Sequence, residues 1–301
     1  MLRRLSGLLL RRLGFALISA LAVSVMIFLA GHYLAGDPCI REGRVPPHSY
    51  ERCMHLLLQD RPFLEQYLTY LRYVASGSVS SDLMERARTT LMVGGLALAL
   101  AIVVGIYAGT VSALGHLRGR VADAAIVAAV GVPSFVFAGL ILVFADRWMA
   151  DWTGGAFYYV NGWGQAYQVP LPVIALSLWP AGFIARLTRG GILEAMRQEY
   201  VGTARAKGLA EGTVMFRHIL RNGILPAVSQ PGPIVMATLG GSIAVEAVFM
   251  VPGLGSAMVG AIFSRNYEWM VEITAYFTIL QALFNALSDM AMSLLDPRIS
   301  A

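Results

Sequence analysis

Residues able to do nucleotide chemistry are scarce in this chain. Of its 23 Lys and Arg residues, Lys207 is the only lysine. The residue before it is Ala206, whereas a Walker A loop needs Gly-Lys-Ser/Thr to hold nucleotide phosphates. The sequence also lacks the Gly-rich loop and strand lysine of a protein kinase. We therefore predict that the chain binds no nucleotide or other cofactor of its own. We also find no Ser/His/Asp constellation and no metal-ligand set on the predicted cytoplasmic side, so we predict no catalytic residue and no enzyme activity.

A second group of reactive side chains lies early in the sequence. Cys39 and Cys53 occur close to His48, Glu51 and His55. Their spacing matches no standard zinc pattern, so we predict no metal site. Two cysteines in one exposed segment of an oxidising compartment can form a disulfide, and the alternative is two free thiols. Cys39 and Cys53 are therefore a disulfide candidate.

The composition indicates what kind of fold positions these residues. Hydrophobic residues make up 57% of the chain and charged residues 14%, against about 25% charged in an average soluble protein. So few charges cannot cover a water-soluble fold of this size, and the hydrophobicity excludes a disordered chain. The sequence predicts an all-α, polytopic membrane protein. Its net charge of +5 is typical of cytoplasmic loops and does not indicate a nucleic-acid partner.

Six apolar segments approach or exceed the roughly 20 residues that a membrane-spanning helix needs. They are Leu13–Leu34, Leu91–Leu114, Val121–Ala145, Val169–Leu187, Ile224–Met250 and Val271–Leu294. The first is longer than the apolar core of a signal peptide, so we expect an uncleaved anchor. Prolines at four positions indicate either broken helices around a pathway or the ordinary frequency of proline in membrane helices. These positions are Pro133, Pro180, Pro231 and Pro233.

The distribution of basic residues predicts the sidedness of the chain. With a cytoplasmic N-terminus, most arginines fall in cytoplasmic segments, and the outer segments become mildly acidic. Six spans then place both ends of the chain in the cytoplasm. We predict a cytoplasmic N-terminus and first span over 1–34, an extracytoplasmic segment over 35–90, and a core of five spans over 91–301.

The polar segment 188–223, which we call the coupling loop, is the most informative part of that core. Its stretch Ile192–Lys207 is rich in helix formers, and Gly208 should end that helix, since glycine is favoured just past a helix end. A second helical stretch, Glu211–Asn222, leads into the fifth span. Small side chains would let a partner surface approach closely. They are Thr203, Ala204 and Ala206. The loop is therefore either a docking element or an amphipathic surface helix without a partner.

Short sequence blocks recur through nearly the whole chain in a recognisable order. They are Gly36–Pro38 (GDP), Glu199–Leu209 (EYVGTARAKGL), Arg217–Asn222 (RHILRN), Leu225-Pro226, Glu246–Gly255 (EAVFMVPGLG), Arg265–Tyr267 (RNY) and Leu295–Arg298 (LDPR). Together they resemble the permease subunits of ATP-binding-cassette (ABC) importers, in the dipeptide/oligopeptide/nickel branch. Each block is weak alone, whereas their combination is highly specific.

The resemblance implies a type I ABC importer transmembrane subunit in the bacterial inner membrane, in contact with membrane lipid. Such a subunit pairs with a second, homologous permease. Two cytoplasmic ATPases, which bind ATP and Mg, drive the pair, and an extracytoplasmic binding protein delivers substrate. The implied function is translocation of di- and oligopeptides by alternating access, a two-state change.

The resemblance also implies which residues carry this function. The ATPase-coupling residues would be Glu199, Tyr200, Thr203, Ala204, Ala206, Lys207, Gly208 and Leu209. The gate or translocation path would include Glu246, Pro252, Gly253 and Gly255. An ionisable group inside a span, such as Glu246, faces either a cavity or the wet interface. Gly202 departs from the family pattern, in which a larger residue, commonly Arg, is expected.

Other functions remain open on the sequence alone. Within the same class, the substrate could be nickel or a metal chelate. An ion-coupled secondary transporter is the main alternative of another class, although we find no internal repeat of the kind such proteins carry. A channel would need a selectivity filter or a charged pore ring, and neither is apparent. Gly105 and Gly109 form a GxxxG pair that could allow close helix packing, although such pairs also arise by chance.

Overall fold

The computed structural model describes residues 61–75, 81–115, 117–153, 162–264 and 266–295, with shorter helical stretches between 14 and 29. The α-helices are α1 (Phe63–Ala75), α2 (Ser81–Ala113), α3 (Leu117–Gly131), α4 (Ser134–Thr153), α5 (Pro170–Ala195), α6 (Glu199–Ala206), α7 (Glu211–Thr213), α8 (Arg221–Gly223), α9 (Leu225–Val228), α10 (Pro231–Val248), α11 (Leu254–Phe263) and α12 (Tyr267–Leu295). A 3-10 helix occupies Ala166–Gln168 and a π-helix Val214–Leu220. These described residues form no strand, which confirms the all-α prediction.

Among the described residues, three stretches are each long and apolar enough to cross a membrane: α2, the run Ala166–Ala195 that contains α5, and α10. The pair α3 and α4 meets the same criterion when taken together. The sixth predicted span lies within α12. The first, Leu13–Leu34, is described only in part, at 14, 17–19, 21–26 and 29. The count of six spans therefore stays a prediction.

The prolines explain where these helices are broken. The helix axis bends by 111° between α3 and α4, around Pro133, so the third predicted span is not one straight helix. Proline lacks the N–H that would continue the ladder, and its ring clashes with the preceding turn. Pro231 instead begins α10, a position where its missing N–H costs nothing. Pro180 lies inside α5, which continues unbroken to Ala195.

The GxxxG pair in α2 lies at a very close helix contact. A Cβ atom built on Gly105 would lie 2.8 Å from the carbonyl oxygen of Ala181 in α5. The same atom on Gly109 would lie 2.5 Å from the carbonyl oxygen of Ala185. Only hydrogen fits between the two backbones at both positions, as the GxxxG pattern predicts.

Replacing Gly109 with alanine should therefore destabilise the protein by about 1–3 kcal/mol, the range for overpacking a filled site. Gly95→Ala is the matched control, because Gly95 lies in the same helix and a Cβ there meets nothing within 4 Å. The control should be neutral or stabilising, since alanine favours the helix. Thermal unfolding in detergent compares the two, and equal melting temperatures would contradict the proposed contact.

The described chain divides into two compact units. One contains residues 1–88 with 253–286, and its core includes Leu83, Leu254 and Ile273. The other contains residues 89–252 with 287–301 and includes the whole coupling loop. Its core comprises three clusters of buried side chains, one of which joins the coupling loop to Ala113 of α2.

Candidate functional site

The coupling loop begins as a direct continuation of a membrane helix. The apolar part of α5 passes into the loop without interruption and ends at Ala195. After a turn, α6 begins at Glu199, and the backbone of the preceding Gln198 is extended. The predicted helix Ile192–Lys207 is therefore two elements joined by a turn. Glu199 and Arg205 lie in the first and last turns of α6, where their charges complement the helix dipole.

Gly208 ends α6 through its backbone conformation. Its φ is +74°, the left-handed region that glycine adopts without strain. The amide of Gly208 donates to the carbonyl of Arg205 at 2.9 Å, and the amide of Leu209 donates to that of Ala204 at 3.4 Å. This pair of bonds is a Schellman motif, so the predicted helix stop at Gly208 is confirmed.

The inner face of α6 packs on the core of the loop itself. Val201 is fully buried and Ala204 is 6% exposed. Both belong to the same cluster as Val214 and Ile219. Ala204 therefore packs mainly on the core of the loop, which the sequence did not indicate. Its assignment as an ATPase-coupling residue stays a prediction.

The π-helix explains how the second limb of the loop reaches this core. Val214 and Ile219 are both fully buried, although they are five residues apart. In an α-helix such residues point roughly 140° apart. The i→i+5 hydrogen bonds of a π-helix bring them to one face. The predicted helix Glu211–Asn222 is thus helical throughout, with a π segment that fits it to α6.

Polar contacts tie the two limbs together at the surface. The Arg205 guanidinium binds Glu211 with a nitrogen–oxygen distance of 2.5 Å. That hydrogen bond raises the pKa of Arg205 and lowers the pKa of the Glu211 carboxyl. The contribution of this pair is present above the ordinary pKa of glutamate and is lost as pH falls through the lowered value. On the other side, the Asn222 amide donates to the Tyr200 hydroxyl at 3.1 Å.

The coupling loop is also held tightly against α5. A Cβ atom on Gly191 would lie 2.2 Å from the carbonyl oxygen of Gly223 in α8. Nearby, Asp123 of α3 accepts a hydrogen bond from the Ser112 hydroxyl of α2 at 3.1 Å. The same carboxylate lies 3.3 Å from the Arg189 guanidinium of α5. Three membrane helices are thus joined where the loop meets them.

The outer face of the loop carries most of the predicted coupling residues. The exposed ones are Glu199, Tyr200, Thr203, Ala206, Lys207, Gly208 and Leu209. Phe216, in the second limb, is 72% exposed, which sequence reasoning missed. Together with Leu209, Phe216 adds apolar area to the exposed surface of the loop. It lies in the mostly apolar run Val214–Leu220, so its neighbours in the sequence did not indicate its exposure.

The predicted gate residues lie at and beyond the end of α10. Glu246 is fully buried inside that helix. The amide of Val251 donates to the carbonyl of Glu246 at 2.8 Å, and Met250 has a φ of +55°. Pro252 and Gly253 then separate this turn from α11, which begins at Leu254. The predicted interruption is present at Pro252 and Gly253, whereas Leu254 and Gly255 already lie inside α11.

Met250 occupies a left-handed position that normally favours glycine, and its side chain is exposed. An L-residue there costs about 1–2 kcal/mol of backbone strain. Met250→Gly should therefore raise the free energy of unfolding by about 1 kcal/mol. Met250→Ala keeps the Cβ atom and should give no such gain. Chemical unfolding of both variants in detergent measures the difference, and a Gly variant no more stable than the Ala variant would contradict it.

Several predicted features lie outside the described residues. Cys39 and Cys53 are among them, as are His48, Glu51 and His55. The disulfide candidate therefore stays a prediction. Among the residues that the structure does describe, no group of three or more His, Cys, Asp or Glu side chains could hold a metal ion.

Comparison with known proteins identifies what this fold is similar to. Residues 101–301 match the family described as binding-protein-dependent transport system inner membrane component. A dipeptide transport system permease protein of Lactococcus lactis is 28% identical over 96% of this chain and 98% of its own. An oligopeptide transport system permease protein of Haemophilus influenzae is 30% identical over 88% of this chain and 89% of its own. A putative peptide transport system permease protein of Brucella abortus is 31% identical over 98% of this chain and 99% of its own.

A solved structure agrees with this fold. The crystal structure of an amino acid ABC transporter superposes with a TM-score of 0.56 at 19% sequence identity. The match covers 72% of this chain and 96% of the other. At this identity the likeness establishes the fold alone.

Proposed function

The chain belongs to the family of binding-protein-dependent transport system inner membrane components, and from that premise we propose that it is the permease subunit of an ABC importer for di- and oligopeptides. Relatives that match it along nearly their whole length are named as dipeptide, oligopeptide or peptide permeases. The observation that carries the proposal is α6, whose inner face is fixed to a core and whose outer face is free for a partner.

The outer face of α6 is where an ATPase would dock. Small and polar side chains dominate there, and Leu209 and Phe216 add apolar contact area. Aromatic residues such as phenylalanine are enriched at protein–protein interfaces. ATP and Mg would be held by the ATPases, because this chain has no phosphate-binding loop in its sequence.

Movement of α6 would reach the membrane through packed contacts. The side chains of Val201 and Ala204 join α6 to the π-helix, which continues into α8 and α9. The close approach of Gly191 and Gly223 joins that second limb to α5. Because protein interiors are close-packed, a push on α6 would be passed on to α5 and α10. Alternating access would follow as a rigid-body change between two states.

The opposite end of α10 would take part in gating. Glu246 is buried one turn before the strained residue Met250, and Pro252 and Gly253 interrupt the helix beyond it. Interrupted helices are tolerated in membranes where they line a cavity or pack on neighbours. We assign Glu246, Pro252, Gly253 and Gly255 to the gate or the translocation path on that basis.

The remaining partners follow from the same assignment. A second, homologous permease would complete the pathway, two ATPases would bind the coupling loops, and an extracytoplasmic binding protein would deliver the peptide. The chain would lie in the bacterial inner membrane with both ends in the cytoplasm. The concentration of arginines in the predicted cytoplasmic segments supports this orientation.

Purification of the tagged chain from its native membrane, followed by mass spectrometry, tests the assembly. We expect an ATPase and a second permease at comparable amounts, together with bound peptide on the associated binding protein. A lone chain that is active in liposomes would contradict the proposal and favour an ion-coupled transporter. Nickel or a metal chelate on the binding protein would retain the importer but reject the peptide substrate.

A further inference from the structure

An apolar groove of about 230 Å³ runs along the outside of the unit that contains residues 89–252. It lies between α2, α5, α9 and the start of α10. Its lining consists of aliphatic side chains and one proline, among them Ile102, Ile106, Ile184, Val228 and Pro231. No charged or hydrogen-bonding side chain takes part in the lining. The groove is therefore suited to a hydrocarbon ligand.

The floor of the groove is the tight contact between α2 and α5. Gly105 lies between the lining residues Ile102 and Ile106, and a Cβ atom there would lie 2.8 Å from the Cβ of Ile184. The groove is open on its outer side, since Ile102 is 44% and Val228 40% exposed. The lining residues Ile102 and Ile106 lie in α2, one of the stretches long and apolar enough to cross the hydrocarbon core of a membrane.

A basic residue, Arg221, lies about two helical turns before Val228 of the groove lining. The amide of Ile224 donates to the carbonyl of Leu220 at 3.1 Å, and that of Val228 donates to Ile224 at 3.0 Å. The chain is therefore helical across the junction of α8 and α9. This places Arg221, Leu225 and Val228 on one face, at spacings of four and three residues. Arg221 and Leu225 are exposed. This helix face therefore carries a charged residue, then the apolar Leu225, then Val228 of the groove lining.

We propose that the groove binds an acyl chain of an anionic phospholipid whose phosphate is held by Arg221. Guanidinium groups match phosphate oxygens in charge and geometry. Arg221 belongs to the coupling loop on the predicted cytoplasmic side, where anionic headgroups attract basic residues. A helix of the second permease would fill the apolar part equally well. Unlike an apolar helix face, a phospholipid also supplies a phosphate that the guanidinium can bind, which favours the lipid.

The experiment uses the purified transporter in nanodiscs that contain phosphatidylglycerol with a photoreactive group on one acyl chain. After irradiation, mass spectrometry locates the labelled residues. We expect labelling to concentrate on the groove lining and to be displaced more effectively by unlabelled phosphatidylglycerol than by phosphatidylcholine. The preference should be about fivefold, the effect of one arginine near a membrane surface.

Two variants make the test specific. Arg221→Gln should abolish the preference for the anionic lipid, whereas Arg118→Gln, at an exposed position of α3, should keep it. Ile106→Trp should fill the groove and remove the labelling. Arg221 is exposed, so Arg221→Gln should fold normally. It therefore tests the proposal even if Ile106→Trp does not fold.

Three outcomes would overturn the proposal. One is labelling spread evenly over the exposed apolar side chains, which would indicate bulk lipid only. Another is an unchanged lipid preference in Arg221→Gln. The third is disulfide crosslinking of Ile102→Cys and Val228→Cys to cysteines in the second permease, which would make the groove a subunit interface. None of these outcomes bears on whether the transporter carries peptides, so the two proposals can fail separately.

Discussion

Replacing Gly208 with valine is expected to abolish ATP-driven peptide uptake by the assembled transporter. The backbone of Gly208 has a φ of +74°, which a β-branched residue adopts only at high cost. Valine would break the Schellman bonds to Ala204 and Arg205 that end α6. The strain of about 1–2 kcal/mol falls on the coupling loop and not on the membrane helices. The variant should therefore assemble, while uptake into proteoliposomes falls to background.

Gly208→Asn is the matched control, because asparagine tolerates the left-handed conformation better than other residues with a Cβ atom. Added atoms meet no obstacle, since nothing lies within 4 Å of a Cβ at Gly208. Asparagine should retain most of the uptake. Equal loss in both variants would mean that the small size of Gly208, and not its backbone conformation, matters. Normal uptake by the valine variant would remove Gly208 from the coupling mechanism.

Replacing Ala204 with glutamate should have the largest effect on stability. Ala204 is 6% exposed and packs with Val201, Val214 and Ile219. A carboxylate in that cluster would be buried without a compensating charge, which costs several kcal/mol. We expect the coupling loop to lose its structure, the ATPase to dissociate and uptake to cease. Limited proteolysis of the loop and co-purification of the ATPase measure the first two effects.

Ala206→Glu separates loss of structure from loss of docking. Ala206 is exposed at the last turn of α6, so a carboxylate there remains in water. The proteolysis pattern should match that of the unmodified protein, while uptake should fall because the added charge lies on the docking face. Unchanged uptake in Ala206→Glu would mean that the ATPase does not contact this turn. A protease-resistant loop in Ala204→Glu would contradict the packing of the loop core.

Some of this site could be predicted from local rules. Gly208 follows a run of helix formers, and glycine at that position predicts a left-handed helix end without knowledge of the rest of the fold. Gly105 and Gly109 carry the spacing of a close helix contact, although only the structure identifies α5 as the partner helix. Local backbone geometry alone determines the helix end at Gly208, so the sequence predicts it well, whereas the glycine spacing predicts a close contact without its partner.

Other features depend on tertiary packing and could not be predicted in the same way. Ala204 is small and lies in a polar segment, yet it is buried because the π-helix lies against it. The five-residue spacing of Val214 and Ile219 fits neither a strand nor an α-helix, so periodicity gives no indication that both are buried. The 111° bend between α3 and α4 has a signal in Pro133. The presence of a proline predicts a break in the helix but not the size of the bend, which depends on packing against neighbouring helices.

Reconstitution of the complete transporter tests the central proposal most directly. The permease, its sister subunit, the ATPases and the binding protein would be placed in proteoliposomes, with labelled peptide outside and ATP inside. Our account predicts peptide uptake that requires both ATP hydrolysis and the binding protein, and that persists when ion gradients are dissipated. Uptake that continues without ATP but stops when an ion gradient is dissipated would contradict it.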